Sequence, residues 1–81
     1  MPTIEIYSKP DCSLCDKAKE ILLQFQSEFS LEIKEFNIET DAGIFELYKE
    51  KIPVIKMNGE VLFYGRISES ALRRKLQELG R

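Results

Sequence analysis

Cys12 and Cys15 are the two cysteines of the chain, and they stand three positions apart in Cys12-Ser13-Leu14-Cys15. That spacing makes a poor structural staple. Closing a four-residue loop restrains the unfolded chain by roughly 2 kcal/mol, whereas a loop of about 70 residues would give about twice that. Two thiols at the start of a helix can instead close a ring with little backbone movement, which favours a reversible dithiol/disulfide. Two other readings stand beside it. The pair could be half of a tetrahedral metal site, with the remaining ligands drawn from a second chain or a small thiol. It could also be two inert core residues, although Pro10-Asp11 before it and Asp16-Lys17 after it mark a polar, exposed turn.

The chain has no histidine. Every mechanism that needs an imidazole is thereby excluded, including Ser-His-Asp and Cys-His catalysis, histidine-ligated zinc and histidine pH switching. Sulfur, carboxylate, Lys/Arg and backbone remain. Twelve Lys+Arg against fourteen Asp+Glu give a net charge of −2, so the broad basic field of a non-specific nucleic-acid binder is missing. The longest apolar run, Val61-Leu62-Phe63-Tyr64, falls far short of the ~20 residues that cross a bilayer. The opening Met1-Pro2-Thr3-Ile4-Glu5-Ile6 enters an alternating strand pattern directly, without the pattern of a signal peptide. The expected compartment is the cytosol, where thiols are mostly reduced. With 81 residues, 43% of them hydrophobic, a single domain spanning residues 1–81 is expected.

The elements that must position the sulfurs follow from periodicity. Thr3 to Tyr7 reads as a strand with Ile4 and Ile6 on one face, ended by Ser8-Lys9-Pro10. Leu14, Ala18, Ile21, Leu22, Phe25 and Phe29 recur at helical steps and predict a helix from near Ser13 to Phe29. A strand over Leu31 to Ile38 follows, and a strand–helix–strand unit of this length reads as a right-handed parallel crossover. Thr40 or Asp41 can cap a short helix carrying Ile44, Leu47 and Tyr48, which must stop before Pro53. Val54 to Met57 and Val61 to Tyr64 flank Asn58-Gly59 as an antiparallel hairpin, with Glu60 in the loop or at a strand end. Ser68 caps a last helix, with Ile67 and Leu72 as a hydrophobic staple, Ala71, Leu72, Leu76 and Leu79 facing inward, and Gly80 at the stop. The order is βαβαββα: an α/β, thioredoxin-like arrangement with a four-stranded mixed sheet and helices on both faces.

With the helix starting at Ser13, Cys12 is its N-cap, where free backbone N–H groups and the positive dipole end favour a thiolate. Cys12 is then the attacking sulfur. Cys15, a turn deeper and partly shielded, is the resolving sulfur. Lys9 adds positive charge near the sulfur or meets an anionic substrate group, whereas Asp11 and Asp16 oppose thiolate formation if they point toward it. Pro53 in Ile52-Pro53-Val54 marks a strand start or turn, and its local sequence leaves the peptide geometry open, since only about one X–Pro bond in twenty is cis.

Ser8-Lys9-Pro10-Asp11-Cys12-Ser13-Leu14-Cys15-Asp16-Lys17-Ala18-Lys19 resembles the active-site segment of the glutaredoxins, and the likeness spans nearly the whole chain. It is carried further by Ile52-Pro53-Val54, by Asn58-Gly59 and by Gly65-Arg66-Ile67-Ser68. The resemblance implies a cis Pro53 facing the dithiol and an Ile52 backbone able to pair with a bound substrate. It also implies a substrate or glutathione site involving Lys9, Gly65, Arg66 and Ser68. Departures are visible: Ser13 and Leu14 replace the family's usual Pro-Tyr, Arg66 the second glycine of a pair, and Ser68 an acidic cap. The Cys-x-Leu-Cys-Asp pattern is similar to that of short glutaredoxin-like domains, and its Asp16 to that of glutaredoxin-like donors to ribonucleotide reductase, which accept electrons from thioredoxin reductase.

The expected activity is thiol–disulfide exchange through Cys12 and Cys15 by a monomer without bound cofactor or metal. Its substrates would be disulfides or glutathione mixed disulfides, and its reductant glutathione or thioredoxin reductase. Alternatives from other classes are a dimer-bridged metal or iron–sulfur module using Cys12, and a module that presents Ile52 and Pro53 to peptides without turnover.

Overall fold

Ile4 and Ile6 alternate with Thr3, Glu5 and Tyr7, so one strand must feed two different faces. In the computed structural model, which describes residues 2–79, it does so at the centre of a four-stranded sheet. The strands are β1 (Thr3–Ser8), β2 (Glu32–Asn37), β3 (Val54–Met57) and β4 (Glu60–Tyr64), in the order β2-β1-β3-β4. β1 runs parallel to β2 and antiparallel to β3, and β3 runs antiparallel to β4. The mixed sheet is thus the expected one. Helices α1 (Ser13–Phe29) and α3 (Glu69–Leu79) cover one face, and α2 (Ala42–Tyr48) the other. Among the described residues, no helix is long and apolar enough to cross a membrane.

The larger core joins Ile4, Ile6, Ile55 and Met57 of the sheet to Ala18, Ile21, Leu22 and Phe25 of α1 and to Leu72 and Leu76 of α3. Ile67 packs against this core, which also holds Leu72. The smaller core, on the opposite face, holds Tyr7, Ile38 and Val54 under Ile44, Phe45, Tyr48 and Ile52. At the hairpin, Asn58 (φ 54) and Gly59 (φ 81) are both left-handed, as a two-residue turn matched to strand twist requires. Met57 pairs with Glu60, which therefore belongs to the strand.

Several expectations are corrected. β2 is shorter than Leu31 to Ile38, because Asn37 turns the chain: its side chain accepts the Glu39 N–H (2.8 Å) and puts fully buried Ile38 into a 3₁₀ turn, Ile38–Thr40. Of the two candidate caps of α2, Asp41 serves as expected, accepting the Ile44 N–H at 3.0 Å. Thr40 is engaged elsewhere, its hydroxyl donating to the Asn37 carbonyl. Leu47 is exposed, since the inward arc of α2 lies around Ile44, Phe45 and Tyr48 and Leu47 falls outside it. The same geometry turns Ala71 outward, one residue around from the Leu72–Leu76 face. Leu79 is on that face but in the last turn, where it lines a pocket of about 120 Å³ instead of being covered. Leu14 is also exposed, because the buried stripe of α1 begins at Cys15. The stop expected at Gly80 lies outside the described residues.

Candidate functional site

β1 delivers the chain to the carboxyl end of the sheet, and the next four residues decide how the first sulfur is presented. Pro10 and Asp11 form a turn in which Asp11 adopts φ 57, a left-handed conformation that Asp tolerates better than most residues. Cys12 follows in extended conformation (φ −122, ψ 104) as the N-cap of α1, and its carbonyl accepts the Asp16 N–H at 3.0 Å. Its Sγ accepts the Cys15 N–H at 3.2 Å, taking the place that a Ser or Asp oxygen takes in other caps. Cys12 and Cys15 are joined as a disulfide, with Cα atoms 5.2 Å apart. Cys12 is half-buried and Cys15 fully buried, so an approaching molecule meets Cys12 first.

β3 begins beside the same end of β1. Tyr7 is in register with Val54, which sets Pro53 beside the end of β1 from which the Cys12 loop departs. The Ile52–Pro53 peptide is cis, as the resemblance implied. Pro53 is buried and Ile52 half-buried against the smaller core. Among the described residues, neither the N–H nor the carbonyl of Ile52 is in a backbone hydrogen bond. Gly65 (φ 75) follows β4, and its N–H is shared between the carbonyls of Pro53 and Lys51, each at 2.9 Å. A Cβ there would meet no atom within 4 Å, so the glycine answers to its φ, not to crowding.

The predicted binding residues therefore fall on two flanks. Ile52, Pro53 and Gly65 are linked, with Arg66 exposed next in the chain and Ser68 closing the segment, its Oγ accepting the Ala71 N–H at 3.3 Å as the cap of α3. Lys9 is on the other side of β1, where it shares a groove with Lys19, Glu35, Phe36 and Asn37 at the end of β2. Lys51 and Asp11 escaped the sequence reading as backbone determinants of the site. Pro10-Asp11 carries a turn signal, but the role of the Lys51 carbonyl has no signature in its residue type.

Beneath the site, Tyr7 stacks on Phe36 (4.9 Å between ring centres) and meets Tyr48 at 5.3 Å. Its hydroxyl donates to Glu5 Oε1 at 3.3 Å. Burial first, then the Glu5 charge and hydrogen bond, raise its pKa above the usual 10.0. The native state consequently holds the Tyr7 proton at a pH where the unfolded chain has lost it. Stability is then full below pH about 10 and falls as pH rises from there through the raised native value. Tyr7→Phe is expected to flatten that alkaline loss, which urea midpoints measured between pH 8 and about 11.5 would show; equal slopes in the two proteins would contradict it.

Residues 3–77 match the family described as Glutaredoxin-like domain (DUF836). A Dictyostelium discoideum protein described as a glutaredoxin-like protein YDR286C homolog is 30% identical over 82 residues, covering 94% of this chain and 76% of that protein. Among solved structures, the structural-genomics target protein XcR50 from X. campestris superposes with a TM-score of 0.79 at 28% identity, over 93% of this chain and 96% of that one. Oxidised thioredoxin from Plasmodium falciparum superposes at 0.67 with 12% identity, over 99% of this chain and 82% of that one, a likeness of fold alone. A cysteine pair at the first helix of such a fold points to redox chemistry at sulfur.

Proposed function

This chain belongs to the glutaredoxin-like domain family, and we propose that it is a thiol–disulfide oxidoreductase whose Cys12–Cys15 dithiol reduces disulfides or glutathione mixed disulfides. The observation that carries the reading is the hydrogen bond from the Cys15 N–H to Cys12 Sγ at the N-terminus of a 17-residue helix. Once reduced, Cys12 at that position keeps a donor and the positive helix end beside its sulfur, both of which favour the thiolate.

The Cys12 thiolate attacks one sulfur of the substrate disulfide, that S–S bond breaks, and the departing thiolate takes a proton from water. The Cys15 thiol then loses its proton and attacks Cys12 Sγ, releasing the second substrate sulfur as a thiol. Two electrons have moved from the dithiol to the substrate, and the Cys12–Cys15 disulfide is left. An external dithiol reductase, or two molecules of glutathione giving glutathione disulfide, returns it to the dithiol. Such resetting suits a reducing compartment such as the cytosol, and a monomer suffices for it. The free Ile52 backbone can pair with an extended substrate segment, while Lys9 and the Arg66–Ser68 segment can meet carboxylates.

The test runs NADPH consumption against one small uncharged disulfide, with glutathione and glutathione reductase in one arm and thioredoxin reductase in the other. Turnover in at least one arm is expected. Turnover only with thioredoxin reductase would move the assignment to an electron donor of that kind and remove the glutathione roles of Lys9, Arg66 and Ser68. Absence of turnover in both would overturn the reading.

A further inference from the structure

Two carboxylates stand beside the sulfur that a substrate meets first. Asp11 directly precedes half-buried Cys12, and the Asp16 N–H donates to the Cys12 carbonyl at 3.0 Å. Chain geometry keeps both carboxylates within roughly 10 Å of Cys12 Sγ, a separation at which charges still act on one another in dilute buffer. Both residues are exposed and, among the described residues, in no ion pair. Cations from the adjoining segments have other partners. Lys9 lines the groove with Lys19 and Glu35 on the other side of β1, and Lys51 Nζ lies 5.7 Å over the ring of Tyr64. Lys17 is one step, about 100°, around α1 from Asp16.

Resting on the disulfide-exchange reading, we propose that Asp11 and Asp16 set the charge preference of the Cys12 sulfur, selecting disulfides that carry positive charge beside the scissile bond and slowing anionic ones. They act on the first attack. In it Cys12 Sγ bonds to one substrate sulfur, the substrate S–S bond breaks, and the second sulfur leaves as a thiolate that takes a proton from water. An ammonium group arriving with the substrate is attracted by both carboxylates, and a carboxylate is repelled by both. Across about 7 Å of water one unit charge alters the encounter with another roughly threefold, and two acids acting oppositely on cation and anion multiply that factor. After screening, a contribution of about tenfold to the cation-to-anion rate ratio is expected. The same acids oppose formation of the Cys12 thiolate, but that slows attack on every substrate alike and cancels in the ratio.

Three small disulfides serve as probes: cystamine, which is cationic, 2-hydroxyethyl disulfide, which is uncharged, and dithiodiglycolate, which is anionic. Reduced protein is mixed with each in dilute buffer at one neutral pH, and its rate of oxidation is read by alkylating the remaining thiols and measuring mass. A thiolate by itself favours the cation, so the measure is the change in ratio between proteins. D11N/D16N, in which Asn tolerates the left-handed backbone of residue 11, should lower the wild-type ratio of cystamine to dithiodiglycolate rates about tenfold. E32Q/E60Q removes two charges at the opposite end of the sheet, where Glu32 is in register with Thr3 and Glu60 with Met57, and should keep the wild-type ratio. Arg66 is present in all three proteins, so its pull on anions cancels. Circular dichroism confirms folding, and D11N and D16N singly, each lowering the ratio about threefold, decide if the double variant is not folded. A ratio unchanged in the folded Asp variants, or lowered as much by E32Q/E60Q, would overturn the proposal. Cystine peptides flanked by Lys or by Asp repeat the comparison: the same shift assigns protein disulfides as the source of the charge, and its absence assigns small ones. Failure of the wild-type protein with the uncharged disulfide would instead remove the exchange reading on which the preference rests.

Discussion

Cys12→Ser is expected to abolish disulfide exchange, lowering the rate by on the order of 10³-fold or more, the scale on which loss of a nucleophile acts. Cys15→Ser is expected to leave the first step intact and to stall after it. The asymmetry follows from burial and cap geometry. Cys12 is half-buried at the helix start, with its sulfur accepting the Cys15 N–H, whereas Cys15 is fully buried one turn along. A serine at position 12 can still cap the helix, because its oxygen accepts the same N–H, so the fold should persist while a hydroxyl replaces a readily ionised thiol. In the Cys15→Ser protein the Cys12 thiolate still attacks, but nothing inside the molecule displaces the product. A covalent Cys12 adduct with the substrate should therefore accumulate and show as a mass increase that a small thiol reverses. Full activity of Cys12→Ser, or an adduct on Cys15 in preference to Cys12, would refute the assignment of roles.

That asymmetry is legible in the sequence, because it needs only a Cys-x-x-Cys placed just before a long apolar stripe at helical spacing. The ends of α1, Ser13 and Phe29, were legible for the same reason, and so was the Asn58-Gly59 hairpin turn. What escaped depends on long-range contacts. The exposure of Leu14 and Leu47 turns on which arc of a helix meets the sheet, a matter of about 100° that local spacing cannot resolve. The register shift between Ile55 and Lys56, where Phe63 and Val61 are their partners and Leu62 is left over, arises from pairing across two strands. The cis peptide before Pro53 came from likeness to a family, since three local residues do not determine it. Of the site, then, the sulfur chemistry was local and legible. The segment around Pro53 was not, because Gly65 reaches the Lys51 and Pro53 carbonyls from another element.

Phe25→Ala is expected to cost about 3–5 kcal/mol, because it empties the middle of the larger core. The Phe25 side chain is fully buried, meets Phe29 edge to face at 5.6 Å between ring centres, and lies 4.8 Å under the Arg73 guanidinium. Arg73 is in turn paired with Glu28 and Glu69, so the ring is roofed by a fixed cation and the cavity cannot close by simple side-chain collapse. Against the roughly 5–15 kcal/mol that holds domains together, such a loss leaves little margin in 81 residues. At about 4–8 °C per kcal/mol, thermal unfolding followed by circular dichroism should move down by tens of degrees. Leu23→Ala on the same helix is the control, since Leu23 is 63% exposed and its loss should stay within about 0.5 kcal/mol. The functional consequence is distinct from that of the cysteine variants. Cys12 and Cys15 remain in the chain, but once α1 melts the sulfur loses its N–H donor and the helix end beside it. Activity of Phe25→Ala should therefore fall in parallel with the folded fraction as temperature rises, with normal turnover per folded molecule in the cold. A protein that stayed folded to the wild-type temperature would show that α1 draws its stability from elsewhere than the Phe25 core.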